Sequence, residues 1–252
     1  MSSVDPRVQF GRSAEAYLTS ASHANADEVR ALAQALQASG RALDIATGAG
    51  HTAFALAEVC DEVIATDITQ PMLDVTAREA LSRGLKNLST QIADAEDLPF
   101  PTESFDVVTC RVAAHHFRAP REFLSEVARV LKPGGRFGLV DTTGNDDPHA
   151  DALYNEFETL RDPSHVHNYT QSEWELWLRE FGFEVLAVTE RAYRHVLREW
   201  MDRMHVAEPT RSRLVQMCEH SEGPLREMLQ PEGTGEDGSF LIHQHTFICL
   251  KQ

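Results

Sequence analysis

Residues 43–51 read Leu-Asp-Ile-Ala-Thr-Gly-Ala-Gly-His, and few folds accommodate such a stretch. An apolar run of Ala42, Leu43 and Ile45 feeds a turn that holds Gly48 and Gly50, and residues 52–59 then take helical spacing. Strand, glycine turn and helix in that order open a ligand-binding α/β unit, because glycine leaves the backbone accessible to a ligand. Asp44 places a carboxylate at the strand end, just before the glycines, and so favours a ligand that presents a cation there.

The chain downstream keeps the same rhythm. Short β-branched runs at 61–66, 88–92, 105–110 and 137–140 alternate with helical patterns at 71–83 and 121–131. A further helix precedes the turn, with Asn25 and Glu28 spaced as a capping pair and Val29, Leu32, Ala33 and Leu36 on one face. Strands alternating with helices imply a parallel, doubly wound sheet. Beyond residue 142 the pattern changes. Helices are expected at 147–160 and 171–181, joined by a loop at 161–169, and a strand at 183–188. Residues 193–204 place Val196, Leu197, Trp200, Met201 and Met204 on one helical face, and 211–229 reads as one or two helices broken at Gly223-Pro224. An acidic, glycine-rich loop at 231–238, expected to be mobile, precedes a final strand at 240–250.

Two ligand classes compete for the glycine turn. Gly48-x-Gly50-x-x-Ala53, with Asp67 about 20 residues on, satisfies a dinucleotide fingerprint. A pyrophosphate, however, wants a helix N-terminus free of nearby anions, and Asp44 would repel it. S-adenosylmethionine carries no phosphate, and its methionyl ammonium can meet a carboxylate directly or through water. The turn therefore favours S-adenosylmethionine over a nicotinamide dinucleotide.

Asp44, Ile45, Ala46, Thr47, Gly48, Ala49 and Gly50 resemble the first motif of the class I S-adenosylmethionine-dependent methyltransferases, with Ala46 in place of that motif's first glycine. Two further landmarks follow in order: Asp94-Ala-Glu-Asp-Leu-Pro-Phe100, and Leu131-Lys-Pro-Gly-Gly135-Arg-Phe before the fifth strand. The resemblance covers residues 25–142. Within the family the chain looks most like the methyltransferase type 11, ubiquinone/menaquinone-biosynthesis-like group, although nothing beyond the fifth strand assigns a quinone acceptor. The resemblance implies a Rossmann-like α/β fold: a seven-stranded, mostly parallel sheet with an antiparallel last strand, plus helical cap insertions. The expected layout is one domain over 1–252, with a lid helix at about 1–24, a cofactor-binding core at 25–142, cap elements at 143–182 and 191–238, and the final strand at 240–250.

The resemblance also implies roles. Asp67 would bind both ribose hydroxyls, since a carboxylate offers two acceptors to two donors; capping of the following helix is its alternative role. Ile68 would pack on the adenine, Asp94 would accept from the adenine amino group, and the Ala95 amide would donate to the ring. Ala46, Gly48, Gly50 and Arg111 complete the cofactor set, with Tyr17 of the lid reaching the methionyl carboxylate. His115 and His116 follow the fourth strand, at the strand ends where open α/β sheets bind ligands, and either is a candidate base. His116, with His165, His167 and Tyr169 from the 161–169 loop, would meet the substrate. Histidine pairs at 165/167 and 243/245 lack Cys or carboxylate companions at ligand spacing, so no metal is expected. The cap arginines either steer an anionic substrate or line solvated helix faces.

The chain counts 23 Lys and Arg against 39 Asp and Glu, a net charge of −16, which works against a nucleic-acid partner. No 18-residue apolar run or secretory leader is visible, and the four cysteines are widely spaced. These features favour a cytoplasmic protein away from the membrane, with homodimerisation open. The expected activity is methyl transfer by in-line displacement to an O, N, S or C nucleophile of a small-molecule acceptor. The alternatives are a non-catalytic S-adenosylmethionine-binding regulator and an NAD-dependent oxidoreductase.

Overall fold

The computed structural model describes residues 26–252. The expected lid helix, with Tyr17, and the capping residue Asn25 lie outside the described residues. The first half alternates as read from the sequence: α1 (Ala26–Ala35), β1 (Arg41–Ile45), α2 (His51–Ala57), β2 (Glu62–Asp67), α3 (Gln70–Ser82), β3 (Leu88–Ile92), β4 (Phe105–Arg111), α4 (Pro120–Val130) and β5 (Leu131–Thr142). The second half adds α5 (Pro148–Arg161), α6 (Gln171–Glu180), β6 (Phe183–Val196), α7 (Leu197–Asp202), α8 (Thr210–Glu219), α9 (Gly223–Leu229) and β7 (Ser239–Lys251).

The seven strands form one sheet in the order β3-β2-β1-β4-β5-β7-β6. Pairs among β1 to β5 are parallel, whereas β7 runs antiparallel to both β5 and β6. Neighbouring residues within a strand enter different cores. Leu43, Val108 and Phe247 join one apolar cluster, while Ala42, Val107 and Ile248 join the other. That alternation is the two-residue period of a pleated strand, and helices on both faces let nearly every position of β1, β2 and β4 be buried. The order reverses between β1 and β4, which leaves a crevice at the carboxyl ends of those strands.

The Lys-Pro-Gly-Gly turn is a bulge inside β5, with no break in the strand. Its pairing with β4 jumps from Phe105↔Leu131 to Val107↔Arg136, and Gly134 adopts φ 75°.

Two expectations for the second half are corrected. Residues 193–196 continue β6, paired from Tyr193↔Ile242 to Val196↔Ser239, and only residues 197–202 are helical. Pairing with β7 prevails there over the helical spacing of the apolar residues. The 231–238 segment is held by bonds. Glu232 pairs with Ser239 through both backbone groups, and Glu236 bridges Arg198 and Arg211.

β6 and β7 project beyond the other strands and carry the cap on their outer half. A third apolar cluster gathers Tyr154 and Phe157 of α5, Trp200 and Met201 of α7, Leu214 of α8, Leu229 of α9, and Phe240 and Ile242 of β7. Phe157 stacks on Trp200 at 4.8 Å and meets Phe240 edge-on at 5.2 Å. The cap is therefore a packed layer with its own core.

Candidate active site

A cavity of about 590 Å³ opens at the strand ends between the sheet and the cap. This is within the usual range for small-molecule sites, roughly 300–1,000 Å³. Its floor is the glycine turn, its side the loops after β2, β3 and β4, and its roof α5, α7 and the outer ends of β6 and β7.

The glycine turn is built for close approach. Gly48 has φ 55° and faces open space, since a Cβ there would meet nothing within 4 Å. Gly50 has φ 88°, and a Cβ would collide with Phe54 and Thr76. Ala46 also takes a left-handed φ, 51°, despite its methyl group. Asp44 is 1% exposed and accepts from the Thr47 hydroxyl at 2.6 Å and the Thr109 hydroxyl at 2.7 Å. Burial pushes its carboxyl from 3.8 up to about 6, against the pull of both threonines and of Arg111. Arg111 bonds Thr52 through Nε at 3.1 Å, so a resident cation already lies near Asp44. The electrostatic case against a pyrophosphate is therefore weaker than the sequence alone suggests.

Asp67 ends β2 with its two carboxylate oxygens on the amides of Gly48 (3.0 Å) and Thr69 (2.8 Å). These bonds fix the carboxylate while leaving lone pairs on the cavity side. Burial raises its pKa and the same amides oppose the rise. Ile68, Met72, Asp94 and Ala95 complete this end of the cavity. Asp94 accepts from the Glu96 amide at 3.0 Å, a local turn that presents its carboxyl group to the cavity. Glu96, not singled out from the sequence, accepts from the amides of Arg118 and Ala119 and ties this loop to the one after β4.

The opposite wall is histidine-rich. After β4 the chain makes a tight turn at Val112 (φ 54°) into a short 3-10 segment, Ala114–His116. His115 Nδ1 lies 2.6 Å from Asp141 Oδ1, and its amide donates to Asp141 Oδ2 at 2.8 Å. Asp141 sits at the end of β5, is 1% exposed, and also receives the Thr142 amide. An Nδ1–H donated to Asp141 leaves Nε2 as the basic nitrogen. Burial disfavours protonation of His115, but Asp141, Glu158 and Asp162 together outweigh it and hold its pKa above 6.5. His116 behaves oppositely. Burial and the neighbouring His115 push it down to about 4, and its Nδ1 lies 3.1 Å from the Ser164 carbonyl, which requires an N–H there. Of the two, the geometry suits His115 to take a proton and His116 to stay neutral. Asp141 was missed from the sequence because it lies 26 residues from His115. The available signal was an acid at the carboxyl end of a central strand.

Of the 161–169 loop, Asp162 and Asn168 line the cavity, whereas His165, His167 and Tyr169, expected to meet the substrate, do not. His165 is buried, its Nε2 lies 3.0 Å from Asn155 Oδ1, and its pKa falls to about 2 through burial and the neighbouring histidines. His167 faces Asp151 at 3.4 Å, and Tyr169 packs against Trp174 and Trp177. The loop also supports the site, with the amides of Val166 and His167 donating to the His115 carbonyl. Among the described residues, no group of three or more His, Cys, Asp or Glu is arranged to hold a metal ion.

Comparison with known proteins adds an independent line. A methyltransferase domain family model matches residues 43–139. An uncharacterised methyltransferase of Bacillus subtilis, YcgJ, is 43% identical over 168 residues, covering 66% of this chain and 66% of its own length. Its crystal structure superposes with a TM-score of 0.83 at 31% identity, over 90% of this chain and 98% of that one. A Bacillus halodurans C-125 protein described as a candidate methyltransferase gives 0.85 at 32% identity, over 89% and 99%. The ubiquinone/menaquinone biosynthesis C-methyltransferase UbiE of Brucella canis is 39% identical over 119 residues, 46% of this chain and 44% of its own.

Proposed function

Because this chain belongs to the class I S-adenosylmethionine-dependent methyltransferases, we propose that it transfers a methyl group to a small-molecule acceptor held beneath the cap. The residues present fit the cofactor. Asp67 suits a pair of hydroxyls, Asp94 an amino group, Ile68 and Met72 a flat ring, and Gly48 leaves room for an adenosyl group above the turn. Asp44 and Arg111 would meet the ammonium and carboxylate of the methionyl end. When bound, S-adenosylmethionine supplies an electrophilic methyl on a sulfonium that departs as a neutral thioether.

The protein's remaining tasks are alignment and proton removal. The cap and sheet enclose acceptor and cofactor in one cavity, which favours in-line attack and excludes water. An acceptor O–H, N–H or S–H gives its proton to His115 Nε2 while its lone pair forms the new bond to carbon. Asp141 orients the ring and stabilises the imidazolium. The observation that carries this reading is His115, bonded to the buried Asp141, on the same cavity as Asp67 and Asp94. The net charge of −16 supports a small metabolite over a nucleic acid. Among the described residues no helix is long and apolar enough to cross a membrane, and we place the activity in the cytoplasm.

Calorimetry with S-adenosylmethionine and S-adenosylhomocysteine, followed by labelled methyl transfer into a metabolite extract, tests the assignment. Binding of both with transfer to one or more small molecules is expected. Tight binding without transfer to any metabolite would make the chain a regulator. Preference for NADH would return the oxidoreductase reading.

A further inference from the structure

The roof of the cavity carries a basic wall apart from the residues assigned above to the cofactor. Arg161 at the end of α5, His195 near the end of β6, and Arg203 just after α7 line it, with Trp200 and Ile242 beside them. Other cap arginines answer carboxylates: Arg191 meets Glu28, Arg194 Glu232, Arg198 Glu236 and Asp237, Arg211 Asp202 and Glu236, and Arg213 Glu156. Arg161 differs. Its Nε donates to the Trp200 carbonyl at 3.1 Å and its guanidinium lies 4.8 Å over the Trp200 ring. Among the described residues no carboxylate comes within 4 Å of it, which leaves its two terminal nitrogens for a ligand.

His195 adds an uncharged donor. Burial first, then Arg203 and Arg161, push its pKa to about 4. Its Nδ1 faces an Arg203 terminal nitrogen at 3.3 Å. Guanidinium only donates, so Nδ1 accepts and Nε2 bears the hydrogen. The carboxylates on the same wall are engaged or weakened: Asp202 pairs with Arg211, Asp162 accepts from Ser164, and burial raises Glu158. Glu158 lies between the two ends of the site, close enough to feel both His115 and Arg161. Its Oε1 is buried without a hydrogen-bond partner among the described residues.

We propose that the methyl acceptor carries an oxyanion group, a carboxylate or a phosphate, seated between Arg161 and Arg203 beside His195, with its reacting atom toward His115. A planar fork matches such a group through paired N–H bonds, and Trp200 holds that fork in place. Trp200 and Ile242 suit an apolar or aromatic body joining the two ends. This inference rests on the methyltransferase reading and deepens it.

The test uses the full chain saturated with S-adenosylhomocysteine, titrated by calorimetry with benzoate, phenyl phosphate and benzamide. Saturation itself checks the methyltransferase reading, so failure to bind S-adenosylhomocysteine sinks that reading and is seen before any oxyanion is added. At least one of benzoate and phenyl phosphate should bind tenfold or more tightly than benzamide, and whichever does so names the group. Arg161→Leu should abolish that advantage while leaving S-adenosylhomocysteine affinity within twofold, and Arg161→Lys should restore only part of it. Arg203→Gln, at an exposed position, provides a second variant and should reduce the advantage threefold or more. Equal binding of benzoate, phenyl phosphate and benzamide, no binding of any, or an advantage that survives both Arg161→Leu and Arg203→Gln would overturn the proposal.

Discussion

Replacing Asp44 by Asn should make the ligand-free protein more stable and the cofactor complex weaker. The carboxyl is 1% exposed, and its pKa is raised from 3.8 to about 6 even with two threonine hydroxyls and Arg111 favouring its charge. Each pH unit of such a difference corresponds to about 1.4 kcal/mol, so holding this group ionised at pH 7 costs the fold about 3 kcal/mol. The carboxamide keeps the shape and one good acceptor, but pairs less well with the second threonine, a loss of about 1 kcal/mol. The net gain for Asp44→Asn is then about 2 kcal/mol at pH 7. The sign with pH follows from the direction of the shift. The unfolded chain ionises near 3.8 and the folded one near 6, so the penalty is absent below pH 4, grows between pH 4 and 6, and is complete above. Urea unfolding of the ligand-free protein at pH 4.5, 5.5 and 7 measures it. The advantage of the variant should grow across that series, while its affinity for S-adenosylhomocysteine falls roughly tenfold at pH 7, about 1.4 kcal/mol. A variant less stable than the parent at pH 7, or an advantage equal at pH 4.5 and pH 7, would refute the reasoning.

Three other expectations follow from the same geometry. His115 must be neutral to accept a proton and its pKa is raised, so kcat/KM should fall as pH drops through that value. Asp141→Asn should move this acid limb to lower pH and reduce the plateau by roughly 10²-fold or more, whereas an unmoved limb removes Asp141 from the proton path. Asp67→Asn should weaken S-adenosylhomocysteine by about 1–3 kcal/mol in calorimetry, and unchanged affinity would take Asp67 out of the ribose site. Ala46 holds φ 51°, a left-handed conformation costing roughly 1–2 kcal/mol for a residue with a Cβ. Ala46→Gly should therefore raise stability by roughly 0.5–1 kcal/mol after the added freedom of the unfolded chain is subtracted, and a lower melting temperature would contradict the strain.

The nucleotide-side half of the molecule was legible because its signals are local. A strand, a glycine turn and a helix lie within twenty residues of one another, and the 94–100 and 131–137 segments mark their own turns. The cap was less legible because long-range pairing decided it. Val196, Leu197, Trp200, Met201 and Met204 fit a helical face, yet residues 193–196 pair with β7, more than forty residues away in sequence. The loop histidines show a related limit. A loop's composition says nothing of which way each ring turns, and His165 turns to Asn155 while His167 turns to Asp151. His115 and Asp141 meet only because β4 and β5 pair with Arg111 opposite Val140, a register that no short window of sequence contains.

The projecting β6–β7 ribbon means that one part of the roof, residues 197–238, is grafted on at two points, near residues 196 and 239, while α5 reaches the roof separately and the floor of the cavity is laid down before residue 142. Descendants of this chain could rewrite residues 197–238 and so exchange one acceptor for another with the chemistry of the floor left intact. The same ribbon continues into the strand that lies beside Asp141, through the pair Asp141↔His245. A rewritten 197–238 segment would thus leave the His115–Asp141 pair in place.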